Sequence, residues 1–237
     1  MSNTEFEVET DFLTIGRTFA EYRRMFDLRA EDFAGRELLD CGGGAGAFTA
    51  TAAELAQRAV AVDPIFGPPP DAIEPGLEEA IASNVAQLRE KRDLFVWEFY
   101  GDVDTRERYL RAAAERFLAD YAAHPERYVA GALPDLPLAD DAVDLALVSN
   151  LLFVYDDRLD RAFHEAALRE LARVAREAVR VFPLHSLDRT RSEFVDPVAD
   201  ALRADGHSVA FREVPYEFQP GATETLVVTP SPATPSG

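Results

Sequence analysis

The sequence predicts an α/β protein: a three-layer sandwich with a mostly parallel seven-stranded sheet, its last strand antiparallel, plus a helical insertion between strands 2 and 3. Three observations predict it. Short apolar runs alternate with amphipathic segments along most of the 237 residues, the pattern of a parallel sheet covered by helices on both faces. A glycine-rich stretch, "LLDCGGGAG", joins the first of these runs to a helix-like segment, and Asp63 closes the next run. The two final runs are separated only by "PYEFQPGAT", which carries Pro and Gly turn signals and leaves no room for a crossover helix, so they should pair antiparallel.

In chain order, "GRTFAEYRRMFDL" reads as a helix ahead of the sheet. Strands are predicted near Glu37 to Asp40, Ala59 to Val62, Tyr128 to Ala130, Val143 to Val148, Ala178 to Phe182, Ser208 to Val214 and Thr225 to Thr229. The sixty-odd residues between the second and third strands are too many for a plain connection. In that segment Leu77, Ile81, Val85 and Leu88 step at helical spacing, with Pro75 before the first turn and Arg89, Lys91 and Arg92 at the end. A second helix should start at Asp104, whose carboxylate caps free amides while Glu107 reaches back; its apolar face is Leu110, Ala114, Phe117 and Tyr121. Phe95, Trp97, Phe99 and Tyr100 lie between the two helices, either sealing them onto the domain or forming a lid over a pocket. One domain is expected over residues 1–229, with the helical insertion at about 68–125 and a disordered Pro/Ser-rich tail at 230–237.

Charge narrows the partners. Against 43 acidic residues stand 24 basic ones, a net charge of −19, and no Lys/Arg run overrides it, so nucleic acid is not an expected partner. Lys91 is the only lysine. An acidic, lysine-poor surface suggests a salt-rich (halophilic) cytoplasm, where the screening length falls to about 3 Å near 1 M salt and self-repulsion is tolerable. A plain acidic protein is the alternative. "MSNTEFEVET" lacks the basic and apolar parts of a secretion signal, and no window holds 18 uninterrupted apolar residues, so a cytoplasmic protein without a membrane partner is expected. Cys41, the sole cysteine, permits no intrachain disulfide and no multi-thiolate zinc site, and no His/Asp/Glu cluster has metal-ligand spacing.

Gly42, Gly44 and Ala47 fit the G-x-G-x-x-A dinucleotide fingerprint, and Asp63 stands 21 residues after Gly42, where a ribose-binding acid belongs. Several cofactor classes need the same tight turn and free amides. The residues also read D-x-G-x-G-x-G, from Asp40 through Gly42, Gly44 and Gly46. A carboxylate at Asp40 is unwelcome beside a pyrophosphate but suits an ammonium or sulfonium group. Downstream, "GALPDLPLADDAVDLALVSNLL" places a Leu-Pro pair and an acidic turn before the buried strand that ends in Ser149 and Asn150.

Taken together, these motifs resemble the class I S-adenosylmethionine-dependent methyltransferases (Rossmann-like, seven-stranded), over most of the chain. Leu136, Pro137, Leu138, Asp140, Val143, Asp144 and Leu145 correspond to the family's "LPF-D-FD-V" stretch. The resemblance implies that Asp40, Cys41 and Gly42, Gly43, Gly44 and Gly46 cradle the methionine half of S-adenosyl-L-methionine, with helix-start amides facing its carboxylate. It implies that Asp63 accepts the ribose hydroxyls and that Ile65 lies against the adenine. Where many members carry an Asp for the adenine amino group, this chain has Ala132, leaving backbone groups of Ala132 and Leu133 or the nearby Asp135. Ser149 and Asn150 would line the meeting place of cofactor and acceptor, and Tyr22 could close over the methionine end. Asp40 could instead tie down loop amides, Ser149 and Asn150 could simply end a strand, and Asp144 reads as structural.

Methyl transfer needs alignment more than a catalytic side chain. His185, after the fifth strand, is the weak candidate for a base; His164 reads as a helix-surface residue, and His124 and His207 as turn residues. The expected function is therefore methyl transfer to a small-molecule acceptor. The alternatives are an NAD(P)-dependent oxidoreductase using the Gly42 loop and a non-catalytic cofactor-binding module.

Overall fold

The computed structural model describes residues 12–231; the acidic N-terminal stretch and most of the 230–237 tail lie outside them. Seven strands form one sheet in the order β3-β2-β1-β4-β5-β7-β6. They are β1 (Glu37–Cys41), β2 (Arg58–Val62), β3 (Tyr128–Val129), β4 (Val143–Ser149), β5 (Ala175–Phe182), β6 (Ser208–Glu213) and β7 (Glu224–Thr229). The neighbours from β3 through β5 are parallel, while β7 runs antiparallel to both β5 and β6. The chain reverses its direction of winding between β1 and β4, where Leu39 faces Val60 on one side and Ala146 on the other. In open α/β sheets such a switch point leaves a crevice at the carboxyl ends of the strands.

The helices are α1 (Phe19–Met25), α2 (Phe48–Ala52), α3 (Pro70–Glu90), α4 (Val103–Ala123), α5 (Arg161–Val174) and α6 (Val195–Ala204). Leu38 and Leu39 are adjacent in sequence and both fully buried because each face of β1 is covered. Leu38 packs with Phe33 and Phe48, and Leu39 with Val60, Val148 and Leu168. A third core joins the facing stripes of α3 and α4, where Leu77, Ile81, Leu110 and Phe117 meet Phe66 and Tyr128. Burying each large side chain contributes about 1.5–3 kcal/mol. An exposed pair between the two helices such as Arg111–Glu78 contributes about 0.2–1 kcal/mol, so packing more than charge holds this hairpin.

Several boundaries differ from the sequence expectation. Helix α3 begins at Pro70, not after Pro75, so Pro75 sits inside its second turn. Helix α4 is capped by Asp102, which accepts the Thr105 N–H at 2.7 Å, whereas Asp104 and Glu107 both hold Arg89. The run "DVDTRE" offers two caps in near-equivalent spacing, and Arg89 on the facing helix occupies one of them. Strand β5 starts three residues early, at Ala175, directly after α5, with no turn residue between them. Asp144 is structural: its carboxylate accepts the Glu37 N–H and pairs with Arg176. No helix of the described residues is long and apolar enough to cross a membrane, and among them no three His, Cys, Asp or Glu side chains could together hold a metal ion.

Candidate active site

A cavity of about 740 Å³ opens at the carboxyl ends of the strands. Of the residues singled out in the sequence, Cys41, Gly42, Gly43, Gly44, Asp63, Ile65, Ala132, Leu133, Ser149 and Asn150 border it. Asp40 and Gly46 do not. The glycine turn explains both outcomes. Gly42 and Gly44 take φ of +70° and +51°, which L side chains rarely adopt, and this curls the loop over the end of β1. Gly46 is folded inward: its N–H donates to the Gly43 carbonyl, and a Cβ there would lie 2.8 Å from that oxygen.

Asp40 is buried beneath the loop, against Gly43, and its Oδ1 accepts the Tyr22 hydroxyl at 2.7 Å. Burial raises its pKa to about 7, the Tyr22 bond only partly offsetting this and Asp63 adding to it. Tyr22 borders the cavity, so this aspartate meets the site through the tyrosine and not directly. Asp63 lies at the end of β2 with both oxygens engaged, Oδ2 by the Gly44 N–H at 2.9 Å and Oδ1 by the Ile65 N–H at 3.0 Å. Burial nevertheless raises its pKa. Each oxygen keeps further acceptor capacity toward the cavity.

The helix following the loop is short, five residues, and the Ala47 N–H at its start donates to the Arg17 carbonyl. The expectation that helix-start amides face a ligand carboxylate is corrected for Gly46 and Ala47, whose N–H groups are bonded within the protein. The segment that takes up Ala47 is a strap, Leu13 to Arg17, lying across the loop. Gly16 is wedged there so tightly that a Cβ would come within 1.9 Å of the Ala45 carbonyl oxygen. At its far end the strap is held by Tyr155, whose hydroxyl accepts the Leu13 N–H.

Asn150, at φ +55° after β4, accepts from Arg17 and donates to the Ser149 hydroxyl at 2.7 Å. Burial and the neighbouring Asp40 and Asp63 push the Cys41 thiol up, which suits a packed residue and not a nucleophile. Asp135 is exposed and outside the cavity wall, so only Ala132 and Leu133 of the adenine candidates border it.

Two histidines depart from expectation. His164 is fully buried: Nε2 accepts the Phe153 N–H at 3.0 Å and Nδ1 faces the Asp160 carbonyl at 2.8 Å, which fixes the neutral Nδ1–H tautomer. Burial lowers its pKa. The sequence placed it off the apolar stripe of α5, but the loop after β4 folds back over that flank and stacks Phe153 on the ring. His185 is not on the cavity wall. The chain after β5 presents Pro183 and Leu187 to the cavity and turns His185 toward a bridge with Arg191 and toward Gly221.

Sequence reasoning missed the opposite wall. The Tyr100 hydroxyl donates to Glu21 Oε1 at 2.6 Å and receives the Tyr216 hydroxyl, also at 2.6 Å. Arg106 Nη1 reaches the same Glu21 oxygen at 3.1 Å and the Tyr100 oxygen at 2.9 Å. All four side chains are buried. Phe95 stacks on Phe218 at 4.7 Å and borders the cavity, whereas Trp97, Phe99 and Tyr100 pack on Phe218 and Tyr216 and seal the hairpin onto the domain. One signal was present: Val103, Arg106, Leu110 and Ala113 share a helical stripe, and an arginine on an apolar stripe calls for a buried partner.

No protein family model matches the chain. The uncharacterized protein MJ0045 of Methanocaldococcus jannaschii is 28% identical over 219 residues, covering 92% of this chain and 96% of that one. Among solved structures, a SAM-dependent methyltransferase from Aquifex aeolicus matches 89% of this chain and 93% of its own at 15% identity, with a TM-score of 0.44. Magnesium protoporphyrin IX methyltransferase of Synechocystis PCC 6803, solved with bound SAM, covers 83% of this chain and 71% of its own at 12% identity and a TM-score of 0.45. A TehB-like SAM-dependent methyltransferase from Corynebacterium glutamicum covers 88% and 86% at 14% identity and a TM-score of 0.44.

Proposed function

We propose that this protein is an S-adenosylmethionine-dependent methyltransferase acting on a small-molecule acceptor. The observation that carries the reading is the convergence on one cavity of the Gly42–Gly44 turn, Asp63, Ile65 and Asn150, with a buried carboxylate, Asp40, behind the turn. The donor set fits that cofactor. Asp63 accepts the ribose hydroxyls, Ile65 and Leu133 flank the adenine, and Gly43 and Asn150 bound the methionine end. Asp40, partly protonated near neutral pH, becomes fully ionised when a cation sits across the turn. A pyrophosphate would meet the same carboxylate with repulsion. Among the described residues the sheet also lacks a second parallel mononucleotide half, since β7 returns antiparallel between β5 and β6.

When bound, the cofactor supplies an electrophilic methyl group on a sulfonium. The protein's part is to hold the acceptor about 3–3.5 Å from that carbon and in line, and to exclude water. The strap across the loop and the aromatic roof, the wall formed by Phe95 and Phe218, perform the exclusion. We also place the protein in a salt-rich cytoplasm, on the strength of its −19 charge, and expect its melting temperature to rise with KCl.

Calorimetric titration in molar KCl with S-adenosylmethionine, S-adenosylhomocysteine and NADH tests the reading. The two sulfur compounds are expected to bind and NADH not to. Binding of NADH alone overturns it.

A further inference from the structure

Among the described residues, three charged side chains border the cavity: Asp63, Arg17 and Arg106. In a chain of net charge −19 this is a reversal of sign. One carboxylate, Glu21, lies behind the two arginines; its Oε1 is 3.6 Å from Arg17 Nε and 3.1 Å from Arg106 Nη1. The surrounding phenols do not add negative charge, because burial raises Tyr22, Tyr100 and Tyr216 above the ordinary tyrosine range. One anion therefore faces two guanidiniums that cannot deprotonate. Arg106 Nε is buried without a partner, and its guanidinium lies over the rings of Tyr100 and Phe218 at 4.7 and 4.9 Å. Phe218 in turn stacks on Phe95, and Leu88, Phe182 and Pro183 add apolar wall beside the polar Asn84, Tyr216 and Gln219.

None of the four histidines borders the cavity, and both oxygens of Asp63 are already engaged. Among the described residues, the acid on the cavity wall is Asp63, whose oxygens each already accept an amide N–H, and the phenols Tyr22 and Tyr216 are raised by burial, so a nucleophile that arrives with its lone pair available suits this site better than one that must first lose a proton. On the methyltransferase reading, the cofactor adds a further net positive charge from ammonium, sulfonium and carboxylate together. A cationic acceptor is repelled, and an anionic one is attracted.

We propose that the acceptor is a small carboxylic acid with an aromatic or aliphatic body, its carboxylate held at Arg106 beside Tyr216 and its body against Phe95 and Phe218, and that the carboxylate oxygen takes the methyl group. That oxygen forms a bond to the methyl carbon as the carbon–sulfur bond breaks, the bonding pair stays on sulfur, and no proton moves. The products are a methyl ester and S-adenosylhomocysteine. Anion and cation cancel, a reaction that an apolar wall favours over one that creates charge.

The test titrates 4-hydroxyphenylacetate, indole-3-acetate and octanoate, each beside its primary amide, into protein preloaded with S-adenosylhomocysteine. Each acid that binds is expected to do so at least tenfold more tightly than its amide. That preference should vanish in Arg106→Gln and in the double variant Glu21→Gln/Arg106→Gln, which leaves no unpaired buried carboxylate and so stays folded, with a melting temperature above that of Glu21→Gln. Arg106→Lys should retain part of it. Equal affinity for acid and amide, no binding of any acid, or a preference that survives in the folded double variant overturns the inference. Methyl-labelled S-adenosylmethionine should give alkali-labile product from a bound acid; alkali-stable label overturns ester formation. If S-adenosylhomocysteine itself does not bind, it is the underlying methyltransferase reading that fails.

Discussion

The two walls of the cavity are built on different principles. The wall at β1 and β2 is local: a turn of glycines and one aspartate, bonded to amides 2 and 19 residues away. The roof is assembled from far along the chain. Glu21, Tyr100, Arg106 and Tyr216 meet across sequence separations of 79, 85 and 116 residues. Backbone geometry defines the first wall and side-chain charge the second. The first rests on a backbone path, and the second on a buried charge network that ties distant segments together.

This contrast predicts where damage is structural and where it is functional. The largest effect is expected from Glu21→Gln, which strips the buried Arg106 and the half-buried Arg17 of their carboxylate and should cost about 3–5 kcal/mol in urea unfolding. Combining it with Arg106→Gln should recover much of that loss; a single-variant cost below about 1 kcal/mol would mean the network does not tie the roof down. Gly16→Ala comes next. Its Cβ meets backbone that cannot swing away, so the strap must lift off the loop, at about 1–3 kcal/mol, with weaker S-adenosylmethionine binding in the same titration.

Asp63→Ala takes the acceptor from the Gly44 and Ile65 N–H groups, at about 1–2 kcal/mol of stability, and should weaken cofactor binding at least tenfold, about 1.4 kcal/mol; unchanged affinity removes the ribose from this position. The smallest effects concern pH. His164 has its pKa lowered by burial, so the unfolded chain binds more protons below its ordinary value of 6.5, and stability falls as pH drops through that window. Asp40 acts with the opposite sign: with a folded pKa of about 7 against an ordinary 3.8, its proton stabilises the fold at low pH, and that contribution is lost as pH rises through 7. Melting curves from pH 5 to 8 should therefore separate the two, Asp40→Asn melting higher than the parent at pH 8 and His164→Gln losing less than the parent between pH 7 and 5.

The local wall is also the legible one. "DCGGGAG" and Asp63 could be read directly because a glycine turn and a strand-end acid are properties of a few consecutive residues. The limits of that legibility are visible at Asp40 and Gly46, both inside the motif and both off the cavity wall. The motif specifies a backbone path, but which atoms face the ligand depends on Tyr22 and Gly43 packing around it.

The sequence by itself determined the seven strands, the reversal at the end of the sheet and the two long helices between β2 and β3, because hydrophobic periodicity and turn chemistry act over a dozen residues or fewer. Tertiary structure alone decided that His164 is a core residue, that His185 turns away from the cavity, and that Glu21 and Arg106 find each other across the roof. The physical reason is that burial of a polar group is stabilising only when a partner arrives, and here the partners come from distant segments, brought together by the hydrophobic packing of the sheet and its helices.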